Sequence, residues 1–167
     1  MSAIVVHGGA GHTGPSEEHA PRRAGVLRAA EAGWAVLAAG GSALDAAVEA
    51  VAVLEDDPLF NAGLGSVLTL AGTVEMDASV MTGDTLAAGA VGAVTGVRNP
   101  VRVARAVLDE EREVLLVGDP AVALARAHRL ATCAPEALLK NTGVPPTFRK
   151  ARTGLDTPAG ISASARE

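Results

Sequence analysis

Residues 66–97 read SVLTLAGTVEMDASVMTGDTLAAGAVGAVTGV, and this stretch decides the fold class. It holds three apolar runs of strand length, Ser66 to Leu70, Val74 to Ala78 and Gly89 to Val97. Ala71, Gly72 and Thr73 separate the first two, a gap of hairpin length that contains a glycine. The AGAVGAV segment at 88–94 is apolar at successive positions, the pattern of a strand covered on both faces.

On the N-terminal side, Ala3 to His7 (AIVVH) is a short β-branched run that ends in glycines, which predicts a buried strand entering a tight turn. From Ser16 to Ala39 the chain is rich in Ala and Leu. Val26, Ala29, Ala30, Gly33, Trp34 and Leu37 fall near helical spacing and predict one apolar face. Gly40 and Gly41 end that helix, and Ser42 with Asp45 opens a second through Leu54. Asp56 to Gly65 (DDPLFNAGLG) reads as a structured loop with Leu59 and Phe60 as its apolar anchor.

On the C-terminal side, Asn99 and Pro100 cap and start a helix, VRVARAVLDEE. A strand at Glu113 to Val117 follows, and Asp119 with Pro120 repeats the cap for AVALARAHRLA. The order is strand, two helices, strands, helix, strand, helix. Hairpins with grouped helices predict an α+β arrangement, a sheet covered by helices, rather than a doubly wound fold. A chain of 167 residues supplies few strands and one helical layer, so something else should cover the remaining sheet surface.

Composition narrows the function classes. At 49% hydrophobic residues and a net charge of −5, most of the chain buries a core. Trp34, Phe60 and Phe148 are the only aromatics, which removes the stacking platforms of single-strand binders, and the acidic balance disfavours a phosphate backbone. No nucleic-acid or membrane partner is expected. The single Cys133 forms neither an internal disulfide nor a zinc cluster, and with no basic, then apolar, N-terminal leader the expected location is cytoplasmic. Residues 1–139 carry 9 basic and 17 acidic side chains, whereas 140–167 carry 5 and 2. With its Gly, Pro, Ser and Thr content, the segment from Lys140 onward reads as a flexible linker after a folded portion at 1–139.

Four motifs invite chemistry. Gly9, Gly11 and Gly14 spell G-x-G-x-x-G after the first run, the place for a dinucleotide pyrophosphate. Yet the sequence offers Glu31 inside a helix and no second strand before Ser66, so a strand-ending turn is favoured. His7, His12, His19 and His128 have no i, i+4 pairing and read as turn or surface residues, with His7, buried at a strand end, kept as structural for the glycine loop. Asp77, Ser79 and Asp84 hint at a triad, but no G-x-S-x-G elbow is present, and Asp77 is expected to satisfy backbone donors at the strand end. Leu54 to Leu64 combines three carboxylates with turn chemistry that aims carbonyls inward. That suits a hard cation, although spacing alone favours a solvated acidic turn.

Taken in order, VVHGGAG at 5–11, GGSALDAAVEAV at 40–51, LEDDPLFNAGLGSVLT at 54–69, VEMDASVMTGDTLAAGAVGAV at 74–94 and VRNPVRVARAVLDE at 97–110 resemble the N-terminal (α) subunit of the isoaspartyl peptidase/L-asparaginase family. These are the plant-type, or type 2, asparaginases, which are N-terminal nucleophile hydrolases. The resemblance implies half of a four-layer αββα sandwich assembled from two subunits of one self-cleaving precursor, with a dimer of αβ units as the family precedent. A Thr opening the β subunit would supply the nucleophilic hydroxyl, and its freed α-amino group the base. The implied substrates are asparagine and β-aspartyl dipeptides, with no organic cofactor. A structural sodium ion would be held by Leu54, Glu55, Asp57, Phe60, Ala62 and Leu64, mostly through backbone carbonyls. Asn61 would help to position the nucleophile and the cleavage site, with Gly8 and Gly9 in the glycine loop beside the scissile bond.

One departure matters. The family's Thr opens a motif like TVGAVA followed by a long β subunit with the substrate-binding Arg and Asp, and no such motif occurs here. Asp156–Thr157 looks like a cleavage pair, but Pro158 follows and only ten residues remain, so Thr157 is rejected as nucleophile. The preferred reading is an α subunit that is inactive alone. The alternatives are a truncated, non-catalytic remnant of the family and a nucleotide-binding module that uses GAGHTG.

Overall fold

A computed structural model describes residues 2–9, 19–69, 71–134 and 137–138. Two helices come first, α1 (His19–Ala38) and α2 (Ala43–Glu55). A 3-10 turn at Gly63–Gly65 precedes β1 (Met76–Met81) and β2 (Ala88–Val94). Then come α3 (Pro100–Glu110), β3 (Leu115–Val117) and α4 (Asp119–Ala127). The boundary between α1 and α2 follows the glycines. Gly40 takes φ +85°, and the amides of Gly40 and Gly41 donate to the carbonyls of Leu37 and Val36. Ser42 caps α2, its Oγ accepting the Asp45 N–H at 3.0 Å.

The face that α1 turns to the core is made of very small residues, Gly25, Ala29 and Gly33. A Cβ on Gly33 would stand 2.7 Å from the Ala46 carbonyl oxygen of α2, so glycine lets the two helices close together. The predicted face is therefore partly wrong, because Trp34 is exposed. Small residues, not large apolar ones, mark the contact.

The sheet has the order β1-β2-β3. β1 and β2 are antiparallel, and β2 and β3 are parallel with α3 as their crossover. The expected hairpin at 71–73 is displaced. Thr69 and Thr73 close only a tight turn, through the Thr69 N–H to the Thr73 carbonyl at 2.8 Å, and the run from Ser66 forms no ladder among the described residues. The hairpin instead joins β1 to β2, where Leu86 accepts φ 58°. The extra residue of a bulge in β2 opposes Asp77, and Asp77 Oδ1 accepts the N–H of Ala93, which is itself at φ 49°. The expectation that Asp77 satisfies a backbone donor holds.

Ala78, Val91 and Leu116 are register partners that face inward, into a core completed by Val103, Ala104 and Val107 of α3. Gly89 lies under α3, where a Cβ would meet the Leu108 amide at 2.5 Å. The opposite face carries Ser79, Met81, Ala90, Leu115 and Val117. It is open, with Met81 61% exposed and Leu115 and Val117 each 54%. Among the described residues, AGAVGAV is thus packed from one side only.

Three other expectations change. Ala3 to His7 makes no ladder among the described residues. Ile4 and Val6 pack on α1 and α2, while Val5 is 94% exposed and His7 points to solvent. An extended segment needs a strand beside it, and none of the described strands lies there. Asn99 makes no side-chain cap on α3, and Asp119 begins α4 rather than capping it, because Gly118 at φ 65° takes the cap position. Gly11, Gly14 and His12, together with Lys140 and the linker to Glu167, Thr157 included, lie outside the described residues.

Candidate functional site

The residues singled out from the sequence meet around the loop that leaves α2. Phe60 is its anchor, 4% exposed and gripped between two glycines. A Cβ on Gly8 would stand 2.7 Å from Phe60 Cε1, and one on Gly25 of α1 would stand 2.7 Å from Cε2. A side chain at either glycine would force the ring to shift. The fold thereby brings the N-terminal glycine loop onto the acidic loop, a proximity that residue spacing does not reveal. Gly9 holds φ +108° with open space around it.

Each end of the loop is tethered. Asp57 Oδ2 pairs with Arg28 of α1 at 2.7 Å, and its Oδ1 accepts the Leu59 N–H at 3.0 Å, an Asx turn that starts the bend. Asn61 is exposed and closes the far end, its Oδ1 accepting the Val67 N–H at 2.9 Å. The acidic stretch is therefore no freely solvated turn: both Asp57 and Glu55 are committed to protein partners.

Glu55 is 2% exposed, and its Oε1 accepts the Val101 N–H in the first turn of α3 at 3.0 Å. Its Oε2 has no partner among the described residues. Burial pushes the carboxyl up to about 7, against the lowering effect of the Val101 amide.

Two glycines of the loop lie directly against backbone carbonyl oxygens. A Cβ on Gly63, at φ +53°, would run into the Glu55 carbonyl oxygen. On Gly65 it would run into that of Phe60 and stand 2.7 Å from that of Pro58. Local hydrogen bonds run along the loop: the Leu54 carbonyl accepts from Asp57, that of Asp57 from Phe60, that of Phe60 from Ala62, and that of Ala62 from Gly65. Each carbonyl oxygen keeps a second lone pair. Among the described residues no three His, Cys, Asp or Glu side chains converge, so a cation here would rest on carbonyls, as hard cations accept.

The remaining candidates stand apart from this loop. Ser79 lies on the open sheet face and Asp77 in the bulge, where its Oδ1 is taken up by the Ala93 amide. His128 pairs with Glu110 at 2.8 Å, joining the ends of α3 and α4. Cys133 is half-buried, and burial raises its thiol above the usual range. No helix among the described residues is long and apolar enough to cross a membrane.

Residues 1–147 match the family model described as asparaginase. The chain belongs to the plant-type asparaginase family. It is 58% identical over 127 residues to a plant-type L-asparaginase of Pyrococcus abyssi, an alignment covering 75% of this chain and 41% of that protein. It is 48% identical over 139 residues to an isoaspartyl peptidase/L-asparaginase of Danio rerio, covering 83% and 44%, and 50% identical over 130 residues to one of Bos taurus, covering 77% and 42%. The chain thus spans well under half the length of these relatives. Membership in this asparaginase family displaces the nucleotide-binding alternative, and of the glycines after His7 it is Gly8 that packs against Phe60.

Proposed function

We propose that this chain is the α portion of an L-asparaginase/isoaspartyl peptidase that hydrolyses asparagine and β-aspartyl dipeptides once joined to a β portion carrying a Thr nucleophile. The observation that carries this reading is the open sheet face. Met81, Leu115 and Val117 are more than half exposed on a sheet whose other face is packed by α3, a layer awaiting its counterpart. A second sheet on that face would complete the four-layer αββα sandwich, and the matched span of 41–44% of the relatives' length leaves room for it.

In this reading the Thr hydroxyl attacks the amide carbonyl, its own α-amino group takes the proton, and the amine leaves with it. Water then cleaves the acyl-enzyme to release aspartate. The residues of this chain do not react. Gly8 and Gly9 shape the wall beside the nucleophile, and Asn61, fastened to Val67, holds its position.

A sodium ion would be held by carbonyls of Leu54, Glu55, Asp57, Phe60, Ala62 and Leu64, and would supply fixed positive charge that rigidifies the loop. Two of these carbonyls, of Glu55 and Phe60, occupy the space that a Cβ on Gly63 or Gly65 would take, which supports this fit. The assembly would be a cytoplasmic dimer of αβ units with no organic cofactor.

Purification from the native source with intact-mass measurement tests the subunit reading: a co-purifying chain that begins with Thr is expected. A lone 16.7 kDa species would instead make the protein a non-catalytic remnant. Incubating this chain alone with a β-aspartyl dipeptide should release no aspartate, and release would refute the need for a partner.

A further inference from the structure

We propose that Asp56, Arg98 and Asn99 form a latch that positions the 57–65 loop, and through it Asn61. The site reading above supplies only the loop's purpose; the latch itself rests on geometry. Asn99 precedes α3, where sequence marks it as that helix's cap, yet its side chain turns to α2. Its Nδ2 donates to Asp56 Oδ1 at 3.2 Å and to the Ala52 carbonyl at 3.4 Å. Arg98 Nε donates to the same Asp56 Oδ1 at 2.9 Å. In return Glu55, from the end of α2, accepts the Val101 amide that Asn99 leaves open. The two helix ends have exchanged caps.

The exchange has a fixed post on its far side. The Arg98 N–H donates to the Ala131 carbonyl, Val97 bridges Thr132, and the Cys133 N–H donates to the Gly96 carbonyl. Asp56 is the residue from which the loop departs, so clamping its carboxylate to 98–99 sets the direction of departure. The Asp57–Arg28 pair and the Phe60 anchor then fix the loop against α1. Arg98 and Asp56 are 52% and 38% exposed, so their ion pair contributes little to global stability. Its effect is local, on the order of the loop rather than on the folding of the core.

Amide hydrogen exchange on the full chain, with any co-purifying partner left in place, separates local from global effects. Arg98→Ala and Asp56→Ala should speed exchange at the Phe60, Ala62, Gly65 and Val67 amides at least tenfold. Amides of α3 and β2 should stay within twofold, and Asp56→Asn, which keeps the Oδ1 acceptor, should restore most of the protection. Unchanged loop exchange, or equal acceleration throughout the chain, would overturn the latch. The melting temperature of the unaltered protein in sodium chloride against choline chloride is a separate arm. Its failure to shift counts against the cation reading of the loop, while the latch stands or falls on the exchange rates alone.

Discussion

Replacing Gly63 with alanine tests the close approach of the Glu55 carbonyl directly, and Gly40→Ala supplies the control. Both glycines have positive φ, +53° and +85°, so both variants place a side chain in the left-handed region, at roughly 1–2 kcal/mol. They differ in what the new methyl meets. At Gly40 nothing lies within 4 Å, whereas at Gly63 the methyl meets the Glu55 carbonyl oxygen and stands 2.7 Å from the carbonyl carbon. That atom belongs to the backbone at the end of α2 and cannot rotate away, so overpacking adds about 1–3 kcal/mol. Urea unfolding of the two variants should therefore show Gly63→Ala the more destabilised by about 1–3 kcal/mol. Equal losses would mean that the Glu55 carbonyl does not crowd Gly63, and that packing of the loop on the end of α2 would have to be abandoned.

Other perturbations report on separate parts of the fold. Gly25→Ala should dislodge the Phe60 ring and cost about 1–3 kcal/mol by overpacking, despite alanine's better helix propensity; a stabilised variant in thermal melts would refute the grip. Ser42→Ala removes the cap of α2 and should cost about 1 kcal/mol at neutral pH. The Ser42 hydroxyl, and then Arg105, hold the Asp45 carboxyl below its ordinary value. The contribution of that carboxylate is therefore present above the usual Asp range and lost as pH falls through the lowered value. The penalty of Ser42→Ala should shrink in acid, and a pH-independent penalty would deny the pairing. Leu115→Ser on the open sheet face should change the stability of the chain alone by no more than about 0.5 kcal/mol while weakening capture of a β partner in pull-down; undiminished capture would place the interface elsewhere.

Helices were legible because their signals are local. Gly40, Gly41 and Ser42 punctuate α1 and α2, and Pro100 opens α3, so four helices stand close to where periodicity and caps put them. Strands were legible only in part. Met76–Met81 and Ala88–Val94 overlap the expected runs, but the hairpin lies between them and not at Gly72, since turn residues are plentiful on both sides and pairing decides which turn is used. The parallel placing of Leu115–Val117 against β2 left no mark in its short apolar run. Around the candidate site, Phe60 and Asn61 were visible as an anchor and a turn residue. Arg98 and Asn99 were missed because Asn99 before Pro100 carries an obvious local reading as a cap, and nothing in the sequence shows that Glu55, 46 positions before Val101, takes that duty.

The sequence by itself determined the family, the helical punctuation and the residues gathered in the 54–65 loop, because each depends on neighbours within a few positions or on ordered motifs. Tertiary structure alone decided that Gly8 and Gly25 close on the two edges of Phe60, that α2 and α3 exchange caps, and that one face of the sheet stays open. Those are contacts between segments up to 52 positions apart (Gly8 to Phe60) whose energies depend on distance in space, and spacing along the chain does not encode them.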